Sequence, residues 1–341
     1  MIHLPLQQRR PGASLKAALA LTGVSRDPFR FPVEPNPDGG EGLQGTTAEY
    51  VDAFAEVFDA RVETFGADPL TWVYQPSRSE TGEEEFRLHV DSPGSSAELV
   101  GLMLPGLLQR DYPTRLVIEG CTHARGAYLP EQLESALARL VGDVGGTLEV
   151  ELDAYGFPPR GGGRLVAEVT PAEGRLREVR WGDRGYVRDI DISVTLAHLQ
   201  AHIGEREIRT FVDEMKAEVS TSASLTELHA AASQGNVMTV YVYGSEQLET
   251  ICVLGEKGVR AEEIGRRSLS EFATYLAGRG AFHQTTPFAT LLACAAGGDQ
   301  VWTTGLDELG RAVCEYAPAL LGTHVNIQGE DTETTRLNIY R

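Results

Sequence analysis

Tyr155-Gly-Phe-Pro-Pro-Arg-Gly-Gly-Gly163 separates two runs that alternate between apolar and polar residues, Thr147–Leu152 and Arg164–Val169. Alternation with a period of two is the mark of a strand with one face buried. A hairpin connection needs only about two to five residues, so this turn is longer than its job requires. Two prolines fix φ, and three successive glycines permit φ > 0 and close approach of backbone. Composition alone makes the stretch a long glycine-rich turn. Its place within a larger repeat gives it more weight.

Working outward, helix Ser95–Leu108, strand Thr114–Ile118 and helix Glu131–Val141 lead up to the two strands around the turn. The same order of helix, strand, helix, strand, strand opens the chain. There it runs Ser14–Leu21, Phe29–Val33, Ala48–Phe58, Arg61–Phe65 and Thr71–Tyr74. It closes the chain as Phe288–Ala296, Gln300–Thr303, Asp307–Tyr316, His324–Gln328 and Arg336–Tyr340. The first two copies start about 80 residues apart and the last two about 190, so a segment is inserted before the third. Residues 183–280 fill it, with strand Tyr186–Leu199, helix Glu205–Lys216, hairpin Val237–Tyr243 and Leu248–Leu254, and helix Arg260–Leu276. Ser220–Ser224, Pro32–Gly45 and the acidic Pro76–Glu85 read as loops. The expected fold class is α+β. Residues 1–182 and 281–341 form one large domain of three αβαββ repeats, interrupted by a smaller αβ domain.

The chain has 341 residues, 42% hydrophobic and 23% charged, as in ordinary globular proteins. No apolar run approaches the ~20 residues of a membrane span. Leu15–Val24 reads as a short amphipathic helix without the features of a signal peptide. Four dispersed cysteines form neither a zinc motif nor a disulfide framework, which reads as reduced thiols in a cytoplasmic protein. The net charge is −19, from 49 acidic against 30 basic residues. That balance works against nucleic-acid and membrane surfaces and favours a basic protein partner.

The wording of several segments resembles the RNA 3′-terminal phosphate cyclase family. The segments are Tyr155–Gly163, Ser92-Pro-Gly-Ser-Ser96 with Leu104-Pro105, Asp183-Arg-Gly185, Glu205-Arg-Glu-Ile208 and Gly255-Glu-Lys-Gly-Val259. Together they span nearly the whole chain. The resemblance implies three repeats of a unit shared with enolpyruvyl transferases, plus an inserted smaller domain. It also implies an ATP-dependent conversion of an RNA 3′-phosphate to a 2′,3′-cyclic phosphate. A histidine in the last repeat is adenylylated, and Mg²⁺ or Mn²⁺ assists. Such chemistry needs an imidazole nucleophile and cations around phosphate.

Carried over residue by residue, that site is incomplete. The nucleophile belongs within Trp302–Glu315, which holds no histidine, and Gly305 or a close neighbour takes its place. The family's metal-binding glutamate falls at Arg9, and its basic phosphate loop falls on the acidic Pro35–Glu41. Lys16 is the basic position that survives, and the adenine-site tyrosine and aspartate fall near Gln284 and Pro287. His324 and His283 are the alternative nucleophile candidates. Arg9, Lys16, His123 and Gln284 are the nucleotide or phosphate candidates. His198 and His202 would suit a metal only on a helix, and their segment reads as strand end plus loop, so no metal site is expected. Cys121 and His123 could pair across one strand face, but the strand ends near Gly120. There is no P-loop, no G-x-S-x-G and no G-x-G-x-x-G opening a helix.

The expected function is a cyclase-like binding or scaffold protein without the cyclase chemistry. The alternatives are a divergent ATP-dependent cyclase with a relocated nucleophile, and a different enzyme on the same scaffold with an acidic cleft.

Overall fold

The computed structural model describes residues 2–3, 11–32, 45–65, 68–78, 82–91, 94–229, 231–330 and 332–341. The chain opens with β1 (Ile2–His3), α1 (Pro11–Ser25), β2 (Phe29–Pro32), α2 (Gly45–Val57), β3 (Arg61–Phe65) and β4 (Asp68–Gln75). It continues with β5 (Glu85–Val90), α3 (Ser96–Leu107) and β6 (Thr114–Gly120). Then come α4 (Pro130–Gln132), a π-helical turn (Leu133–Leu137), α5 (Ala138–Asp143), β7 (Thr147–Ala154) and β8 (Gly163–Thr170). After β9 (Arg180–Trp181) it builds β10 (Val187–Ala197), α6 (Ala201–Glu214), β11 (Ser220–Leu228), β12 (Gly235–Gly244), β13 (Leu248–Leu254) and α7 (Ala261–Ala277). It ends with α8 (Thr286–Ala296), β14 (Gln300–Thr303), α9 (Glu308–Leu321), β15 (His324–Gln328) and β16 (Thr335–Tyr340).

These strands form a mixed α+β architecture with four sheets, and three sheets share one strand order: β1-β2-β4-β3, β5-β6-β8-β7 and β9-β14-β16-β15. In each, the first two strands are parallel and the other two pairings antiparallel. The fourth sheet, β11-β10-β12-β13, has its own core around Ile192, Phe211, Val240 and Phe272.

α1, α3 and α8 explain how the other three sheets come together. Each is apolar almost all round, and a helix of that kind must be buried on every side. Leu15, Leu19, Leu99, Met103, Phe288 and Leu292 are all buried in one cluster. The three helices pack on each other. Small residues let them approach closely, since a Cβ added at Gly101 would sit 2.4 Å from the Phe288 ring.

Three expectations are corrected. Each of the three similar sheets begins with a strand, β1, β5 or β9, that comes before the helix with which the sequence reading opened each repeat; β1 and β9 have only two residues each. Ser220–Ser224 belongs to β11, an edge strand pairing in parallel along β10 from Asp189 to Ala197. An edge strand with exposed side chains is held by backbone bonds, so its composition says little. Leu15–Val24 lies in the buried α1, whose residues from Ala17 to Leu21 are fully covered. No helix among the described residues is long and apolar enough to cross a membrane.

The Tyr155–Gly163 turn takes its shape from its glycines. Gly161 and Gly162 have φ of +62° and +73°, which side chains with a Cβ disfavour. The loop folds back on the end of β6: a Cβ on Gly156 would lie 2.4 Å from the Gly120 carbonyl oxygen.

Candidate functional site

A cleft of about 580 Å³ opens where α3, α7, β13, the segment before α8 and the start of α9 converge. His283, Gln284, Glu271, Cys252, Glu98 and Asp307 line it.

The segment before α8 is fixed from below. Glu249 on β13 is fully buried and accepts from the backbone N–H of His283 (2.7 Å) and Thr285 (3.2 Å) and from Thr285 Oγ1 (2.7 Å). Burial pushes the Glu249 carboxyl up, against these hydrogen bonds, which favour its charged form. His283 bonds Thr304 Oγ1 through Nδ1 (2.6 Å) and Glu271 Oε2 through Nε2 (2.8 Å). The hydrogen bond to His283 holds Glu271 below the usual carboxylate value despite partial burial. The Gln284 side-chain oxygen accepts from Gln132 Nε2 (3.0 Å) and the Cys252 N–H (2.9 Å).

The other wall carries Glu98, a lone carboxylate in the apolar α3. Lys16 Nζ donates to its Oε2 at 2.7 Å, and Tyr50 OH donates to the same oxygen at 2.7 Å. Burial, with Glu98 adding, pushes the Tyr50 phenol well above its ordinary value. Asp307 caps α9, its Oδ1 accepting from the Gly310 N–H at 2.7 Å. Burial and the nearby charges of Glu98 and Glu308 push its carboxyl up. The arginines of the lining are also paired. Arg125 grips Glu256 with two bonds of 2.9 and 2.6 Å, and Arg267 reaches Glu256 at 3.2 Å and Glu263 at 3.3 Å.

Gly305 lies between β14 and α9, and its carbonyl accepts from Thr303 Oγ1 at 3.0 Å. A Cβ built there meets nothing within 4 Å, so the position has room for a side chain.

The structure brings together His283, Gln284 and, through Glu98, Lys16. It separates the other candidates. His324 is on β15, stacked on Tyr340 at 5.7 Å and away from the cleft lining. His123 is fully buried between Tyr155 (5.0 Å) and Phe157 (4.8 Å), bonding Thr122 through Nδ1 and Glu131 through Nε2. Burial opposes charge on Glu131, but His123 outweighs it and keeps that carboxyl below its ordinary value. Cys121 points to the Gly156 carbonyl and not to His123, and burial pushes its thiol up to about 11. His198 stands just before α6 at φ +53° while His202 is inside it, so the two do not share a helix face. Arg9 and Pro35–Glu41 lie outside the described residues. Sequence reasoning missed Glu98, Glu249 and Asp307. Glu98 alone left a signal, an acid in the middle of an apolar helix.

The sequence profile of the RNA 3′-terminal phosphate cyclase family matches residues 8–326, most of the chain. The chain belongs to that family. It is similar to a protein of Koribacter versatilis described as an RNA 3′-terminal phosphate cyclase, with 30% identity over 267 residues, 78% of this chain and 74% of the relative. A Ralstonia nicotianae protein of the same description is 27% identical over 331 residues, 96% of this chain and 94% of the relative. An enolpyruvyl transferase structure from Streptomyces tendae aligns with 99% of this chain and 48% of its own at 13% identity, with a TM-score of 0.37.

Proposed function

We propose that this cyclase-family chain keeps the scaffold, three αβ units with a smaller unit inserted over residues 183–280, and has lost nucleotidyl transfer. It acts by binding a partner. The observation that carries this reading is Gly305. The family's histidine is carried over to this position, the space for a side chain is open, and no histidine occurs from Trp302 to Glu315.

The electrostatics support the same reading. Lys16, the surviving basic candidate, already neutralises Glu98, and Arg125 and Arg267 are engaged by Glu256. Nucleotide phosphates there would have to compete with these carboxylates, most of all with Glu98 in the part-buried Lys16 pair. The donors do not fit a divalent ion either. Glu98 is committed to Lys16 and Tyr50, Asp307 to its helix cap, and no cluster of three or more metal-ligating side chains forms among the described residues. A basic protein surface is the partner class that a net charge of −19 attracts.

The test is incubation of folded protein with α-labelled ATP, Mg²⁺ or Mn²⁺ and an oligoribonucleotide ending in 3′-phosphate. No protein label and no cyclic ends are expected, and either product refutes the reading. The second reading, a cyclase with a relocated nucleophile, is favoured by the orientation of His283 by Glu271 inside the cleft. It requires labelling that disappears in His283→Ala.

A further inference from the structure

The sheet of the inserted unit has two unlike edges. On the β13 side lie the cleft and, across Arg125 from it, a second cavity of about 780 Å³. This groove runs between residues 157–160 of the glycine-rich turn and 255–259 after β13. Glu207 lines it at 1% exposure, with Oε1 accepting from Asn236 Nδ2 at 2.7 Å and Oε2 without a partner. Arg160 and Lys257 line it too, exposed and unpaired among the described residues. The outer backbone groups of β13 are engaged by side chains. The Thr250 carbonyl accepts from Gln132 Nε2 at 3.2 Å, and the Cys252 N–H donates to the Gln284 side-chain oxygen at 2.9 Å.

β11 is the opposite edge, and among the described residues no strand pairs with its outer side. It runs from Ser220 to Leu228 in unbroken parallel register with β10, and most of its side chains are exposed. A free row of backbone N–H and C=O groups is a template for another strand, which proteins usually guard with charge, proline, a bulge or short length. The other open edges are guarded in this way. β1 and β9 have two residues and β15 five. β3 carries Arg61 and Glu63, β5 carries Glu85 and Arg87, and β7 carries Glu149, Glu151 and Asp153. β11 has no lysine, arginine or proline and a single charge, Glu227.

We propose that β11 is a self-association edge, along which two copies of this chain pair β11 with β11, antiparallel about a twofold axis, and join their inserted sheets into one. The strand fits its own reverse. With all nine residues paired, the axis passes through Ser224. Ser222 then faces Thr226 of the second copy, Ala223 faces Leu225, and Glu227 faces Thr221. Directly opposed side chains share a face and interact, and here hydroxyl meets hydroxyl, apolar meets apolar, and no like charges are opposed. The same operation on β7 sets Glu149 against Glu151 or Asp153, acid against acid. A chain of net charge −19 repels its copies, so a second copy settles only where acids are sparse, as they are on β11.

The area sets the strength. Nine residues at about 3.3 Å each make an edge about 30 Å long and, with α6 layered on one face, roughly 15–20 Å deep. That offers roughly 500 Å² per copy, against the ~800 Å² per partner of a standard stable interface. The dimer is therefore weak and concentration-dependent. It closes at two copies, because the other edge of the sheet has its backbone groups engaged. No residue of β11 lines the cleft or the groove, so pairing leaves both open and does not depend on what the cleft binds.

Sedimentation velocity of the full chain over a concentration series tests it, with amide hydrogen exchange on the same samples. Monomer gives way to dimer with a Kd on the order of tens of μM, and the amides of residues 220–228 exchange more slowly as dimer forms. Added salt strengthens the association, because it screens the repulsion between acidic copies. Ser222→Lys/Thr226→Lys sets like charges face to face across the axis and weakens dimerisation roughly tenfold. Ser222→Lys/Thr226→Glu sets opposite charges there and restores it. Both positions are exposed, so the unfolding midpoints of the two variants match the parent. Glu149→Gln, on the β7 edge, leaves dimerisation unchanged. The proposal is overturned if the chain stays monomeric at every concentration, if dimers form without protection of residues 220–228, or if the two double variants behave alike. Protection of those amides in the monomer would mean that another segment covers the edge, and overturns it as well.

Discussion

Replacing Glu207 by glutamine removes an ionisable group from a buried site, where the side chain is 1% exposed. Burial pushes this group from the usual value near 4.5 up to about 7, and the Asn236 hydrogen bond only partly opposes the shift. The folded state therefore holds its proton more tightly than the unfolded chain does. Between those two values the unfolded state has released a proton that the native state retains, so stability falls as pH rises. Above pH 7 both states are ionised and the loss is complete. Integrating the two titrations from pH 5 to pH 8 gives a loss of about 2.5 kcal/mol from this one residue. Glutamine keeps an oxygen for Asn236 and cannot ionise, so its fixed costs do not vary with pH. Urea unfolding of both proteins at pH 5 and pH 8 isolates the effect. The difference in unfolding free energy should move by about 2.5 kcal/mol in favour of Glu207→Gln on going to pH 8. A difference that stays constant to within ~0.5 kcal/mol would show that Glu207 is not desolvated, and would remove the basis for reading it as a buried orphan.

Four further substitutions test the geometry, each by chemical or thermal unfolding. Gly305→His should be neutral within ~0.5 kcal/mol, because the new Cβ meets no atom within 4 Å; a large loss would refute the open position. Gly120→Ala should cost more than ~3 kcal/mol, since φ is +119° and a Cβ would stand 2.1 Å from the Val90 carbonyl oxygen. Glu98→Leu removes the shared acceptor of Lys16 and Tyr50 and should cost about 2–4 kcal/mol; a neutral result would mean that water replaces it freely. Arg110→Lys should cost about 2 kcal/mol, as the buried guanidinium bonds Thr114 and the Val57 carbonyl and lies 5.3–5.6 Å from the rings of Phe58, Phe86 and Tyr112. Full stability in the lysine variant would show that its charge alone is enough.

Much of the architecture was legible because it is written in periodicity. The runs Thr147–Leu152 and Arg164–Val169 became β7 and β8, and Leu248–Leu254 and Gln300–Thr303 became β13 and β14 with the same limits. Elements held mainly by backbone pairing left weaker marks. β1 and β9 are too short to show a pattern. β11 puts Ser, Thr and Ala along an edge whose side chains are mostly exposed, with Leu225 packed against the core. The strand β5 does alternate, buried at Phe86, Leu88 and Val90, but the acidic run Glu83–Glu85 hides its start. Amphipathicity also misled at α1, because Lys16 looks like a polar face until its partner is known.

That partner is the reason the site was harder to read than the fold. A sequence shows which charges exist and not which of them are already paired. Lys16 and Glu98 are 82 residues apart and meet at 2.7 Å, a pairing no local pattern encodes. Arg125 and Glu256, 131 residues apart, meet in the same way. Seen separately, Lys16 and Arg125 count as cations ready for phosphate; seen together with their carboxylates their charge is already balanced, more firmly in the part-buried Lys16 pair than in the exposed Arg125 pair. Arg160 and Lys257 show the reverse. In sequence they are two ordinary surface cations in an acidic chain, and among the described residues both are without a partner, beside a buried carboxylate oxygen that also lacks one. By the same physical criterion, the charged side chains Glu98, Arg125, Arg267 and Asp307 lining the cleft are paired, and the groove beside it holds charged groups that are unpaired among the described residues.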